Sequence, residues 1–233
     1  MEHYTALSPY LKRRFGCKVY KLSLSAGCTC PNRDGTLGAR GCIFCSGSGE
    51  FAASGSASIP EQLEQAKYIL GKKAQGAKFI AYFQDFTNTY GAVSRLEPLF
   101  LAAMEPDDVV ALSIATRPDC LPEDILRMLS RLRARKPVFV ELGLQTIHDN
   151  TAQYIRRGYP LSVFDDAVQK LHALEIEVIA HQILGLPGET AEMIVETTRH
   201  LGQLPVDGVK LHLLHVLRGT DLAREYADGR IQT

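Results

Sequence analysis

The chain has 233 residues, 45% hydrophobic and 22% charged, enough for one large domain with a substantial core. Its 26 basic and 26 acidic residues cancel, which excludes a global field drawing in nucleic acid or a membrane surface. No leader pattern or apolar run of spanning length appears, so a cytoplasmic protein with no membrane partner is expected.

A strand is predicted over 19–25, and the loop after it has the most unusual composition in the chain. Cys28, Cys30, Cys42 and Cys45 cluster there, whereas Cys17 and Cys120 stand apart. In a cytosolic chain of this size the pattern reads as metal binding rather than a disulfide framework. Thiolates are soft ligands that hold zinc or iron–sulfur clusters. All four would close a zinc site, and the Cys42/Cys45 spacing is common to such sites. The loop by itself leaves both chemistries open. Its bounds are set at 26–58, the last part being rich in Gly, Ser and Ala.

From there helices and strands alternate. A helix over 59–75 opens with Pro60 ahead of Glu61 and Glu64. A strand over 78–83, a helix over 93–104 and a strand over 109–115 follow. Leu121-Pro122-Glu123-Asp124 starts a helix over 123–135. Next come a strand over 137–144, a helix over 162–175, a strand over 177–184, a helix over 191–203 and a strand over 206–214. Six β-then-α units imply a parallel sheet with right-handed crossovers. The strands read as continuous apolar runs, as expected where both faces are covered. Either an open doubly wound sheet or a partial TIM-type barrel places chemistry at the carboxyl ends of the strands. The distinctive polar residues fall at those ends: the cysteine loop, Gln84-Asp85, Thr116-Arg117-Pro118-Asp119, Gln145, Gly185-Leu186-Pro187-Gly188 and Arg218-Gly219-Thr220.

Those segments carry a resemblance. Cys30-Pro31-Asn32-Arg33-Asp34-Gly35 with Gly41-Cys42-Ile43-Phe44-Cys45, Tyr82-Phe83-Gln84, Thr116-Arg117-Pro118-Asp119, Glu141-Leu142-Gly143-Leu144-Gln145-Thr146, Arg156-Arg157-Gly158-Tyr159, Gly185-Leu186-Pro187-Gly188 and Lys210-Leu211-His212 occur in that order. The chain resembles the radical S-adenosylmethionine (SAM) enzymes, in the branch near the Elongator catalytic subunit and the YhcC/YtqA-type bacterial proteins. The usual three-residue gap between the first two cysteines is absent. The wider gap is similar to that branch.

The resemblance implies an α/β fold, a partial TIM-type (β/α)6 barrel, with residues 1–233 forming one radical-SAM domain. Family members run further, so the C-terminal part of the family's chain is expected to be missing. Cys30, Cys42 and Cys45 are expected to ligate three irons of a [4Fe–4S] cluster, with the fourth iron open to SAM. One-electron reduction then cleaves SAM to methionine and a 5′-deoxyadenosyl radical. Phe44 is expected to pack against the cluster and adenine. Tyr82 and Gln84 stand where the family holds the SAM amino group, although its usual glycines are absent. Arg117 suits the SAM carboxylate, because a guanidinium fork matches a carboxylate. Gln145 and Ser113 are candidates for the ribose, and Gly185 and Leu186 for the adenine. Glu141, Gly143 and Gln145 share one face of a strand, and a buried Glu141 needs hydrogen-bond partners.

Lys210 and His212 are the candidate catalytic residues in the lumen, with His181 beside them. Histidines in strands serve equally as hydrogen-bonded structural groups. The implied substrate is tRNA, at the side chain of the wobble uridine, and the implied electron donor is of flavodoxin or ferredoxin type. Lys12-Arg13-Arg14 with Lys18, Arg131-Arg133-Arg135-Lys136, and Arg156-Arg157 are basic clusters able to contact phosphates. Solvated helix faces produce the same runs. A small molecule or peptide as substrate, a four-cysteine zinc-binding protein, and an electron-transfer iron–sulfur protein stand as alternatives. Cys28 is expected to be a packing residue, and Cys17 and Cys120 buried thiols.

Overall fold

A computed structural model describes residues 4–47 and 57–231; positions 48–56 of the predicted cluster loop and the last two residues lie outside the described residues. Six strands form one sheet: β1 (Val19–Leu24), β2 (Lys78–Phe83), β3 (Val109–Thr116), β4 (Val138–Gln145), β5 (Glu177–Leu184) and β6 (Gly208–Leu213). Every neighbouring pair is parallel and the spatial order is the chain order. Among the described residues β1 and β6 do not pair, so the array is a half-barrel rather than a closed ring.

The helices are α1 (Leu7–Phe15), α2 (Ile59–Leu70), α3 (Val93–Met104), α4 (Glu123–Arg133), α5 (Asp149–Tyr154), α6 (Leu161–Ala173), α7 (Ala191–Leu201) and α8 (Asp221–Ala227). Alternation along each strand sends one set of side chains outward, and Leu22, Phe83, Leu112, Val140 and Val178 form the main core there. Leu63, Phe100, Leu129 and Phe164 cover them from α2, α3, α4 and α6. Phe83 and Phe100 meet edge to face with centroids 4.9 Å apart.

The inward face is layered. Ile80, Ala111 and Phe139 form its lowest layer, and Leu11 of α1 closes the amino end beneath them. Above lie Lys21, Tyr82, Ser113, Glu141, His181 and Lys210. The strands are therefore apolar on both faces only at the bottom of the barrel, which corrects the expectation of continuous apolar runs. At β6 even the outer face departs from it: Val209, Leu211 and Leu213 are 41%, 58% and 67% exposed.

The strands over 78–83 and 177–184 have the expected bounds, and the other four differ by a residue or two. The first predicted helix ends early, at Leu70, because Gly71 takes a positive φ and opens a 3-10 turn, Gly71–Ala74. Its start is a capping box between Ser58 and Glu61. Of the three helices outside the five expected ranges, α1, α5 and α8, two leave little trace in the sequence. α5 has six residues, too few to show a period. α1 buries only Leu11 and is recognisable by its Gly16 C-cap.

Candidate active site at the mouth of the barrel

A cavity of about 290 Å³ opens at the carboxyl ends of the strands. Cys30, Cys42, Phe44 and Cys45 from the loop after β1 line one side. Tyr82, Gln84, Arg117, Gln145, Lys210 and His212 line the rest, so ten of the sequence-predicted residues meet in one space. Cys30, Cys42 and Cys45 reach it from a loop held by local bonds. The Cys30 carbonyl accepts from Arg33 N at 2.8 Å, and the Cys42 carbonyl accepts from Cys45 N at 3.0 Å, making Cys42 to Cys45 a tight turn. Buried Asn32 donates through Nδ2 to the Arg156 carbonyl at 2.7 Å, with Cys42 Sγ at 3.6 Å from the same nitrogen. Gly158 packs so closely here that a Cβ would stand 2.9 Å from Asn32 Oδ1.

Two long-range bonds fix the turn. Ile43 N donates to the Ile155 carbonyl at 3.2 Å, and Leu222 N donates to the Ile43 carbonyl at 3.0 Å. Ile43, Ile155, Ile183, Leu186 and Leu222 form a small buried cluster under it, with Phe44 packed alongside. Leu222→Ala is expected to cost about 2–4 kcal/mol of stability through the cavity it leaves. Denaturant unfolding would measure this, and iron retained after reconstitution should fall with it.

Cys28 does not join the other three. It is buried, its Sγ accepts from Arg95 Nη2 at 3.0 Å, and it is absent from the cavity wall. Thiolates on one tetrahedral zinc, each about 2.3 Å from the metal, lie within about 4 Å of one another. Among the described residues no three His, Cys, Asp or Glu side chains are gathered tightly enough to hold one metal ion. Three thiols on one side of one cavity suit an iron–sulfur centre with three protein ligands. Burial pushes the Cys42 thiol up to about 11, so metal binding there must release a proton.

Residues 32–201 match the Radical SAM superfamily. The chain belongs to that superfamily. It is 43% identical over 233 residues to YtqA of Bacillus subtilis, covering 99% of this chain and 72% of YtqA. A tRNA uridine(34) acetyltransferase of Methanocaldococcus jannaschii is 32% identical over 123 residues, covering 52% of this chain and 22% of that protein. The solved structure of Methanocaldococcus infernus Elp3, deleted at its N-terminus, shares the fold with a TM-score of 0.68 at 20% identity. That match covers 92% of this chain, which spans about half the length of the Elp3 chain. A radical SAM enzyme with a [4Fe–4S] cluster and SAM as cofactors accords with the donor set.

Arg157 is the cavity residue whose role sequence analysis missed. Its Nε donates to the Tyr159 carbonyl and its Nη1 to the Leu144 and Thr146 carbonyls, but among the described residues its buried Nη2 has no partner. Among the described residues no carboxylate pairs with it. Arg117, expected to take the SAM carboxylate, already holds one: Nε and Nη2 donate to Asp119 at 2.9 and 2.7 Å. A guanidinium that lines this cavity and has one buried nitrogen unpartnered among the described residues fits a carboxylate-bearing cofactor. The Arg156-Arg157-Gly158-Tyr159 run was the available signal.

Backbone strain gathers at the same place. Phe86 and Gln145 line the cavity with φ of 61° and 68°, and Arg156 beside Cys42 has 57°. Such conformations cost roughly 1–3 kcal/mol each in a non-glycine residue and cluster at functional sites. At Gln145 the β4–β5 register shifts, which turns the end of β4 into the mouth.

The cavity floor is polar and centred on Glu141. Glu141 is 1% exposed and accepts from Ser113 Oγ at 2.6 Å and pairs with Lys21, His181 and Lys210. Burial raises its pKa, but the His181 bond and the lysine charges override this and hold it well below the usual carboxylate range. Lys21 and Lys210 stand over the Tyr82 ring at 4.5 and 5.1 Å. Burial and then the Glu141 charge raise the Tyr82 phenol.

Several expected residues lie elsewhere. Ser113 is fully buried beneath the cavity and engaged by Glu141, so it does not line the space expected to receive ribose. Gly185 and Leu186 are likewise absent from the wall, and Leu186 packs under the cluster loop instead. Cys120 is buried as expected, and burial with the neighbouring Asp119 charge pushes its thiol up to about 12, against a reactive thiolate. Cys17 is only half-buried. The basic clusters divide. Lys12 to Lys18, in α1 and just before β1, and Arg131 to Lys136, at the end of α4 and just before β4, lie at the amino end, opposite the cavity. Arg131 and Arg133 pair there with Glu97 and Glu175. Among the described residues no helix is long and apolar enough to cross a membrane.

Proposed function

We propose that Cys30, Cys42 and Cys45 hold a [4Fe–4S] cluster with one open iron, and that the chain cleaves SAM reductively to modify tRNA at the wobble uridine. The observation that carries the cofactor assignment is that Cys30, Cys42 and Cys45 line one cavity together with Arg157, whose buried Nη2 has no partner among the described residues. When bound, the cluster and SAM supply a 5′-deoxyadenosyl radical after one-electron reduction by a flavodoxin- or ferredoxin-type donor. Arg157 receives the SAM carboxylate, and Phe44, Gln84 and Gln145 line the remainder of the cofactor's space. Lys210 and His212, on the β6 side, face the substrate. Ile43, Ile155 and Leu222 hold the loop closed and keep water from its underside.

The tRNA substrate is supported by the relative named for uridine 34 of tRNA, which shares about half of this chain. One observation favours a second reading, a small-molecule substrate: two of the three basic clusters lie at the end of the barrel away from the cavity. The experiment is anaerobic. Reconstituted protein, reductant and SAM are mixed with total tRNA, with RNase-treated tRNA or with a low-molecular-mass extract, and 5′-deoxyadenosine is measured beside nucleoside masses. Stimulation by intact tRNA alone, with a new uridine mass, supports the tRNA reading. Stimulation by the extract alone moves the assignment to a small molecule.

Arg157→Lys keeps the charge and loses the fork. A lost charged hydrogen bond is worth about 1.5–3 kcal/mol, so the KM for SAM is expected to rise roughly ten- to hundredfold. Initial rates of 5′-deoxyadenosine formation against SAM concentration would check it, with kcat changing less.

A further inference from the structure

The proton positions of two lumen histidines follow from the group at their far end. His181 Nε2 lies 2.8 Å from Glu141 Oε2, and His212 Nε2 lies 3.3 Å from His181 Nδ1. The rings are tilted at 47° with centroids 4.9 Å apart. Glu141 is ionised, held so by His181, Lys21 and Lys210. A carboxylate can only accept. His181 therefore carries its proton on Nε2, and when neutral it offers a lone pair at Nδ1. That lone pair requires a proton on His212 Nε2. In a neutral His212 the remaining nitrogen, Nδ1, is then unprotonated.

Both rings are neutral near pH 7. Burial lowers His181 against the opposing pull of Glu141. Burial is the largest cause that brings His212 down to about 4, and the Lys210 charge acts in the same direction. Both histidines line the same cavity as the three thiols. Lys210 stands two residues before His212 on the same face of β6, its Nζ 3.3 Å from the Tyr82 hydroxyl. The β6 side of the cavity thus offers a cationic donor next to a neutral acceptor.

We propose that Glu141 and His181 are positioning residues that lock His212 into the Nε2–H tautomer, so that its Nδ1 lone pair accepts an N–H or O–H of the substrate. This rests on reading the cavity as the substrate site. The array gives the cavity a preference for substrate edges that carry a hydrogen-bond donor next to an acceptor, as amides and imides do. Ser113 and Lys21 belong to it indirectly, since both keep Glu141 charged and oriented.

The test uses the metal-free protein labelled with ¹⁵N-histidine and long-range ¹H–¹⁵N correlation at neutral pH. His181→Gln and His212→Gln assign the signals. Wild type is expected to show His181 and His212 each as a single Nε2–H tautomer. In Glu141→Gln the amide can donate or accept, and in His181→Phe the link is gone, so His212 is expected to become a tautomer mixture in both. A wild-type His212 protonated at Nδ1, or a His212 signal unchanged in both variants, overturns the proposal. Thermal melting identifies a variant that fails to fold, and Glu141→Gln, nearly isosteric, keeps the test available if His181→Phe is lost. The readout needs no cluster and no substrate. A correct tautomer pattern in a protein that forms no 5′-deoxyadenosine when loaded would sink the functional reading and leave the array standing.

Discussion

Cys42→Ala protein loaded anaerobically with iron and sulfide is expected to release no detectable 5′-deoxyadenosine, while Cys28→Ala protein keeps turnover close to wild type. The contrast comes from position. Cys42 lines the cavity, and its turn is tied to the body of the protein through Ile43. Removing one of three thiolates leaves a cluster with too few protein ligands to hold it with one iron open to SAM. Cys28 is a buried thiol bonded to Arg95, and loss of its sulfur takes away packing volume rather than a ligand. Iron and sulfide content, the visible absorption of the cluster, and 5′-deoxyadenosine by chromatography read the result. Equal loss in the two variants would instead return Cys28 to the ligand set and revive the four-thiolate alternative.

Glu141→Leu is expected to destabilise the fold by about 3–5 kcal/mol, because removing one partner of a buried ion pair strands the others. Here Lys21, Lys210 and His181 lose their common acceptor and Ser113 loses its hydroxyl's partner. For a chain of this size that corresponds to a fall in melting temperature of roughly 6–20 °C. Glu141→Gln should lose less, since the amide oxygen still accepts from Ser113. The pH dependence has a definite sign. Glu141 is held below its ordinary carboxylate range in the folded state. Its contribution is therefore present above the unfolded pKa, about 4.3, and declines as pH falls below it. Wild type should lose stability steeply on acidification there, and Glu141→Gln should show a shallower slope in the same series of melts.

Much of the architecture was legible because it is written in local periodicity. Strand–helix alternation and apolar spacing gave two strands their observed bounds and placed the other four within a residue or two. Pro60 with Glu61 marked the start of α2, where a capping box forms. α1 was missed because its buried face is one leucine wide, and α5 because it is six residues long. The cysteine cluster and the strand-end motifs identified the radical SAM superfamily, and ten of thirteen expected site residues line one cavity.

What sequence by itself determined was the order of β/α units, the set of soft ligands and the family. Those depend on residue type and spacing along the chain. Only the tertiary structure decided which cysteine stands aside, which arginine has a free nitrogen, and which basic clusters lie at the mouth. The partners are brought in by the fold: Arg95, 67 residues away, for Cys28, the Leu144 and Thr146 carbonyls for Arg157, and for Glu141 a lysine 120 residues away. A guanidinium or a thiol reads the same in a sequence whether its hydrogen bonds are filled or open. The difference appears only when parallel strands bring Lys21, Glu141, His181 and Lys210 to one level of the barrel, where burial makes every unpaired group costly.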